Sequence, residues 1–516
     1  MNTTAVPASA ARPALVGLSL SMLLTALGTS AAPVALPTLA HAFSASFQEV
    51  QWVVLAHLLA VTALVVGAGR LGDLLGRRRL FLAGTALFTG ASVLCGAAPS
   101  LRLLIGARAA QGVGAAVMMA LSMAFVADAV PKARTGRAMG LLGTMSAVGT
   151  ALGPSLGGAL IAGFGWRALF LANLPLGLLT LFLVRRHLPA DRPRGGPRAA
   201  AGTGPTAGAG AGRARFDGTG TLLLALTLVA YALAMTLGRD GSGLLRTGLL
   251  LASALGAGLF VRSQARAASP LLPRSVLRTP GLRAGLAANA LVSTVMMTTL
   301  VVGPFQLSRA LGLGTALTGL LLAVGPLVAA VAGLPAGQLA DRFGAPRTTV
   351  VGLAAMAAGA LALSAVPAGC GAVGYVAPLA VLTAGYAVFQ TANNTAVMAD
   401  VPSDRRGVVS GALGLSRNLG LVTGASVMGA VFALAVAADD VATASPAAVA
   451  AATRITFAVA AALVLLALAL AVATGGRTRF RLRSDAARTT DLTPRRDPAG
   501  DGTAARPGTD ATRPGS

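Results

Sequence analysis

The sequence predicts an all-α integral membrane protein of fourteen spanning helices, arranged as two homologous six-helix halves with two helices inserted between them. Three observations predict it. The 516 residues are 55% apolar and only 11% charged, against about 25% charged in soluble domains, and mean hydropathy is +0.75. The charges cluster between uncharged windows about 20 residues long, the length that crosses a ~30 Å hydrocarbon core. One inter-window loop recurs, with its aspartate at 73 and again 268 residues on, at 341. Such a composition excludes a disordered chain, which needs low hydrophobicity, and a conventional soluble enzyme.

The elements follow in order. A short N-terminal tail, 1–13, precedes the window 14–40. Arg12 ahead of an apolar run resembles a secretory signal, but 27 uncharged residues far exceed the 7–15 of a signal's apolar region, so this is spanning helix 1. Helices 2–6 occupy 50–69, 80–101, 109–127, 138–166 and 168–184, completing a first half over 14–186. An Arg/Gly/Pro-rich stretch, 187–216, reads as a flexible linker. Helices 7 and 8 (218–238 and 247–261) form the insertion 217–262, and a loop at 263–282 follows. The second half, 283–476, opens with 284–308 and 310–340. The window 348–399 is too long for one crossing and breaks at Pro367-Ala-Gly-Cys-Gly371, giving helices 11 and 12. Helices 13 and 14 lie at about 407–438 and 455–476, before a basic tail, 477–516, that reads as disordered.

Charge gives orientation. With both termini cytoplasmic, thirty-three Lys/Arg residues fall on the inner side and six on the outer, the asymmetry of the positive-inside rule. The net charge of +25 does not indicate nucleic-acid binding, because the arginines punctuate apolar runs instead of lining a face with stacking aromatics. The tail's basic residues serve orientation and attraction to anionic lipid. Lys132 is the only lysine and follows Pro131, so no Gly-Lys-Ser/Thr phosphate loop exists and ATP-driven transport by this chain is excluded. The arginine bias, with abundant Ala, Gly and Pro, fits a GC-rich bacterial genome. Cys95 and Cys370 have no metal-ligand spacing. No metal or other cofactor is implied.

The repeated loop reads Gly69-Arg70-Leu-Gly72-Asp73-Leu-Leu-Gly76-Arg77-Arg78-Arg79, and again Gly337-Gln-Leu-Ala-Asp341-Arg342-Phe-Gly344. Glycines permit close approach of helix ends, while the carboxylate and guanidinium groups can pair across the inner mouth. A few kcal/mol at such a latch biases a two-state opening. Parallel halves around a midplane site are a recurring transporter architecture. Helix 4 carries Arg108-Ala-Ala-Gln111-Gly112-Val-Gly114; a charged residue within a span costs at least about 2–3 kcal/mol, which favours function or pairing over simple snorkelling. Helix 5 carries Gly149, Gly153, Pro154, Gly157 and Gly158, with three glycines at four-residue spacing forming a groove for a neighbouring helix. Helix 13 carries Ser416-Arg417-Asn418-Leu-Gly420.

These motifs resemble those of the major facilitator superfamily, and within it the fourteen-helix drug:H⁺ antiporter family, over about 14–475. The resemblance implies a bacterial plasma (inner) membrane transporter that exports amphiphilic drugs, antibiotics or secondary metabolites by alternating access, in proton-coupled antiport. It implies gating for the repeated loops, proton coupling for Arg108, Gln111 and Arg417, and inward–outward exchange for the helix 5 element. The family's helix 1 carries an embedded acid where this chain has Gly28. The sixteen acids fall almost wholly in loops, tails and helix ends, so the cavity favours neutral or anionic amphiphiles. Proton coupling then needs another carrier. His57 is the only histidine inside a span and titrates in the right range, with a hydrogen-bonded packing role as the alternative.

For the cavity, helix 4 offers Met118, Met119 and Ser122. Helix 9 offers Asn289, Ser293 and Met297, with Thr294, Met296 and Thr298 beside them; helix 12 offers Tyr386, Phe389, Gln390 and Asn393, with Asn394. Thioethers, aromatics and amides suit promiscuous binding, and helix–helix packing is the alternative for each. Gradient-driven uptake of a nutrient remains a second reading. A membrane enzyme or sensor is the different-class alternative, but three histidines and the single Glu49 form no cluster in sequence.

Overall fold

The computed structural model describes residues 8–129, 132–188, 217–236, 243–266, 280–367, 370–399, 401, 406–436, 441 and 444–490. Most of the expected linker 187–216 and of the loop 263–282 lies outside them. Among the described residues the only regular elements are helices. Fourteen are long and apolar enough to cross a membrane, one for each expected window. The first six are α1 Pro13–Ala42, α2 Phe47–Val65, α3 Arg77–Ala97, α4 Leu101–Val126, α5 Leu141–Phe164 and α6 Trp166–His187. Next come α7 Gly218–Thr236 and α8 Gly243–Arg266. The last six are α9 Pro280–Ala310, α10 Thr315–Gly333, α11 Ala345–Ala365, α12 Gly371–Ala399, α13 Gly411–Val436 and α14 Pro446–Ala473. The break expected near Pro367 therefore falls between α11 and α12. The α14 helix continues to Thr490, into the segment read as a disordered tail; residues 491–516 lie outside the description.

Local chemistry sets the helix ends. α1 is interrupted by a 3₁₀ turn at Ala32–Ala35 around Pro33, where proline removes a backbone donor. α2 starts in a capping box: the Ser46 amide donates to Glu49 at 2.8 Å, and the Glu49 amide donates to the Ser46 hydroxyl at 3.3 Å. α9 and α13 contain π-helical segments at Gln306–Ala310 and Gly424–Met428.

Successive spans reverse direction, so the bundle has an arginine-rich end, holding Arg77–Arg79 and Arg342, and an arginine-poor end. The core is divided accordingly. One large cluster joins both halves and reaches the arginine-poor end, where Phe47 of α2 packs edge-on against Phe305 of α9 and Phe432 of α13, centroids 5.0 and 5.7 Å apart. Toward the arginine-rich end the clusters belong to one half each. Phe81, Phe88, Phe125 and Leu142 pack within the first half, and Leu282, Val397, Val409 and Leu413 within the second.

The inserted pair is asymmetric. α7 lies against the seam between the halves: the Trp52 indole of α2 donates to Thr236 at 3.1 Å, and α7 packs against the π-helical segment Gly424–Met428 of α13. α8 sits outside it, joined through Gln264, whose amide donates to Asp217 at 2.6 Å. Leu244, Leu251, Leu255 and Leu259 of α8 are exposed.

Candidate functional site

The repeated loops share a backbone device. Beyond their apolar spans the α2 helix runs on to Leu75 and the α10 helix to Phe343; Gly76 ends the first with φ 97°, ψ 123° and Gly344 the second with φ 82°, ψ 145°. Only glycine occupies this region readily, and each donates back one turn, to the carbonyls of Gly72 and Ala340, at 3.0 Å. The next helix starts at once, so two spans meet at a one-residue corner. Gly72 also lets α2 approach α4, since a Cβ there would meet Leu121 at 2.5 Å. Gly69 and Gly337 face open space, so close approach is the role of Gly72 alone among these three. The side chains of Arg70 and Asp73 lie outside the described residues. Asp341 and Arg342 are exposed, Arg342 with its guanidinium 5.4 Å from the Phe343 ring. Arg77 is half-buried. Arg78 donates to the Arg185 carbonyl, placing a cation at the C-terminal end of α6, where the helix dipole favours it.

The polar centre of the first half is Arg108, 1% exposed. Its Nε donates to the Val53 carbonyl of α2 at 2.8 Å, and its Nη1 to the Gly28 carbonyl of α1 at 3.0 Å and to Gln111. Gln111 donates onward to Ser92 of α3 at 2.7 Å, and the guanidinium lies 5.9 Å from the Phe170 ring of α6. His57, fully buried, stands one turn beyond Val53, its Nε2 3.3 Å from the Thr29 hydroxyl. That hydroxyl also donates to the Thr25 carbonyl at 3.0 Å, which leaves its lone pairs free to accept from an imidazole N–H. Nδ1 has no hydrogen-bond partner. Position 28, without a side chain, contributes its carbonyl, and a Cβ there would meet Phe88 at 3.1 Å. The fold thus brings His57, Arg108 and Gln111 together; Arg417 is exposed on α13 and joins no contact of this node.

The helix 5 glycines divide among three partners. A Cβ at Gly149 would meet the Leu23 carbonyl at 2.5 Å, one at Gly153 the Ala31 amide at 3.0 Å, and one at Gly157 Leu169 of α6 at 3.1 Å. α1 thus fills the groove at Gly149 and Gly153. Gly158 faces the other half: its Cβ would meet the Thr315 carbonyl at 2.8 Å and the Gly319 Cα of α10 at 2.9 Å, and the Pro154 carbonyl also lies against Gly319. This crossing is near the arginine-poor end, as is the bond from the buried Gln51 amide of α2 to the Ala425 carbonyl of α13.

Most of the expected cavity residues are engaged in packing. Met118, Met297 and Phe389 are buried, and Ser122 bonds Ser21 at 2.8 Å. Asn289 donates to the Leu413 carbonyl at 3.0 Å, Ser293 to Asn289 at 2.7 Å and Asn393 to Gly285 at 3.3 Å. Met119, Tyr386 and Gln390 are half-buried, and the Gln390 Oε1 has no partner.

A family model described as Major Facilitator Superfamily matches residues 18–425. The chain belongs to this superfamily. A multidrug efflux pump, LfrA of Mycolicibacterium smegmatis, is 31% identical over 84% of this chain and 82% of its own length. A riboflavin transporter, RibZ of Clostridioides difficile, is 26% identical over 81% of this chain and 88% of its own. A crystal structure of a bacterial homologue of the human lysosomal transporter Spinster, inward-facing, superposes with a TM-score of 0.65 at 17% identity, covering 90% of this chain and 96% of that one. The protein is therefore a multi-pass transporter of the bacterial inner membrane, and not an enzyme. Sequence reasoning did not single out Thr29 or Ser92, and it gave Asn173 no role of its own. Their signal was weak, one small polar residue among several in each span, and only the helix contacts set them apart.

Proposed function

We propose that this major facilitator protein exports amphiphilic drugs, antibiotics or secondary metabolites by alternating access, against inward proton flow. The carrying observation is the divided core: the halves share apolar packing toward the arginine-poor end and keep separate clusters at the other. With both termini and the arginine-rich end cytoplasmic, this is the inward-facing member of a two-state cycle. Kinship with an efflux pump supports export. In the cycle, Gly76 and Gly344 are the corners about which the inner ends move, and the Gly158–Gly319 crossing is the seam that parts outside. Cargo enters between α4, α9 and α12, where Met119, Tyr386 and Gln390 remain half-buried. Lacking a buried carboxylate at position 28, the pump favours neutral and anionic cargo over cations. His57 carries the coupling proton, and Arg108 sets its surroundings.

The test is transport in inverted membrane vesicles given an inside-acid pH gradient, with neutral, anionic and cationic fluorescent amphiphiles. Neutral or anionic probes are expected to accumulate, and an uncoupler to abolish the accumulation. Accumulation indifferent to the uncoupler would remove proton coupling. Uptake confined to right-side-out vesicles would replace export by nutrient import. Replacing His57 by Tyr is expected to flatten the pH dependence; an unchanged profile at normal expression takes His57 out of the scheme.

A further inference from the structure

A small cavity, partly open past the exposed Leu156, lies in the first half between α1, α5 and α6. Its wall includes Gly28, Gly157, Leu160 and Phe170, and its two polar residues are Arg108 and Asn173. Both are buried, at 1% and 3% exposure. The guanidinium's Nε and Nη1 are satisfied by the carbonyls of Val53 and Gly28 and by Gln111. Its Nη2 has no hydrogen-bond partner, and neither has the Asn173 Oδ1. The cavity volume is about 10 Å³, room for a single small particle.

We propose that this cavity binds one small monovalent anion of halide size, held by Arg108 Nη2 and the Asn173 amide. The reasoning is one of charge. A buried guanidinium is costly unless paired, and neutral oxygens answer its hydrogen bonds without cancelling its charge. The oxygens that contact it belong to backbone carbonyls and one amide, and position 28 has no side chain to supply a carboxylate. A water would complete Nη2 and leave the charge standing; an anion does both. Apolar walls keep the local dielectric low, which strengthens the attraction. The Asn173 amide needs only a half-turn about its last bond to present its NH₂ group to the ion. Size excludes sulfate, phosphate and organic carboxylates. The site is independent of the cargo and of the direction of transport.

The test is thermal unfolding of the purified full-length protein in detergent, at constant ionic strength, with chloride or bromide exchanged for gluconate. A saturable rise in Tm with chloride and with bromide, absent with gluconate, is expected. Asn173→Leu removes one hydrogen bond to the ion and is expected to weaken the apparent halide affinity about tenfold or more. Leu160→Phe, which narrows the cavity, is expected to abolish the response. Equal Tm values in chloride and gluconate for the wild-type protein would mean that water alone fills the cavity, and would overturn the proposal whether or not either variant folds. An undiminished halide response in both variants would place the ion elsewhere and overturn it equally.

Discussion

Two residues 268 positions apart carry the clearest trace of the internal duplication. Gly76 and Gly344 hold the same positive-φ corner, and each bonds back one turn. A side chain there forces strain of roughly 1–3 kcal/mol. Gly76→Ala is therefore expected to lower stability by about that amount. Gly69→Ala, in helix and facing open space, is expected to raise it by up to about 1 kcal/mol through helix propensity. Thermal unfolding of the two variants in detergent checks the contrast; equal effects would mean that the corner carries no strain. The sequence showed both glycines as members of one motif. It could not show that they do different work, because that depends on φ and on what lies within reach of a Cβ. Arg108 was legible from the cost of an arginine inside a span. Its acceptors were not, since two of the three are backbone carbonyls, which every residue type supplies.

At the scale of the helix, α5 shows how one motif serves two contacts. Gly149 and Gly153 fix α5 to α1 within the first half, while Gly158 meets α10 of the second backbone to backbone. The four-residue spacing announced a groove and left its occupants open. A leucine at 158 would collide with the Thr315 carbonyl and the Gly319 Cα, neither of which can swing aside. Gly158→Leu is thus expected to part the halves at the arginine-poor end and to reduce export at least tenfold. Spin-label distances between the outer ends of α5 and α10 measure the opening. An unaltered distance with full transport would show that the crossing is not the seam. Gly149→Leu, by contrast, should act on folding, because α1 and α5 belong to the same half. α7 adds a tie at the same end, bonded to α2 through Thr236 and packed against Gly424–Met428 of α13, so opening there must release at least one of these contacts. Hydropathy revealed α7 and α8 as spans and gave no clue that only one reaches the seam.

For the whole molecule, alternating access requires that the joined end come apart. Cross-linking Gln51→Cys to Ala425→Cys, in a background lacking the exposed Cys370, is expected to trap the joined form and stop transport, with recovery on reduction. Export that survives complete cross-linking would rule out motion at this seam. The count of spans, their order and the split near Pro367 were all legible, because crossing hydrocarbon imposes length and apolarity on each segment separately. The cavity was less legible. Asn289, Ser293 and Asn393 were chosen as polar residues in apolar spans, and such residues also satisfy one another and neighbouring backbones when helices pack.

α8 answers mainly to a solvent made of lipid. Only Gln264 among its residues is buried, and a Cβ at Gly256 would crowd Thr227 of α7. Phe260 packs against the large core cluster; elsewhere along this span one aliphatic side chain is as good as another. Mutation can rewrite the segment freely as long as it stays oily, keeps its length and retains those three footholds, so α8 should drift faster between species than any stretch buried within the two halves.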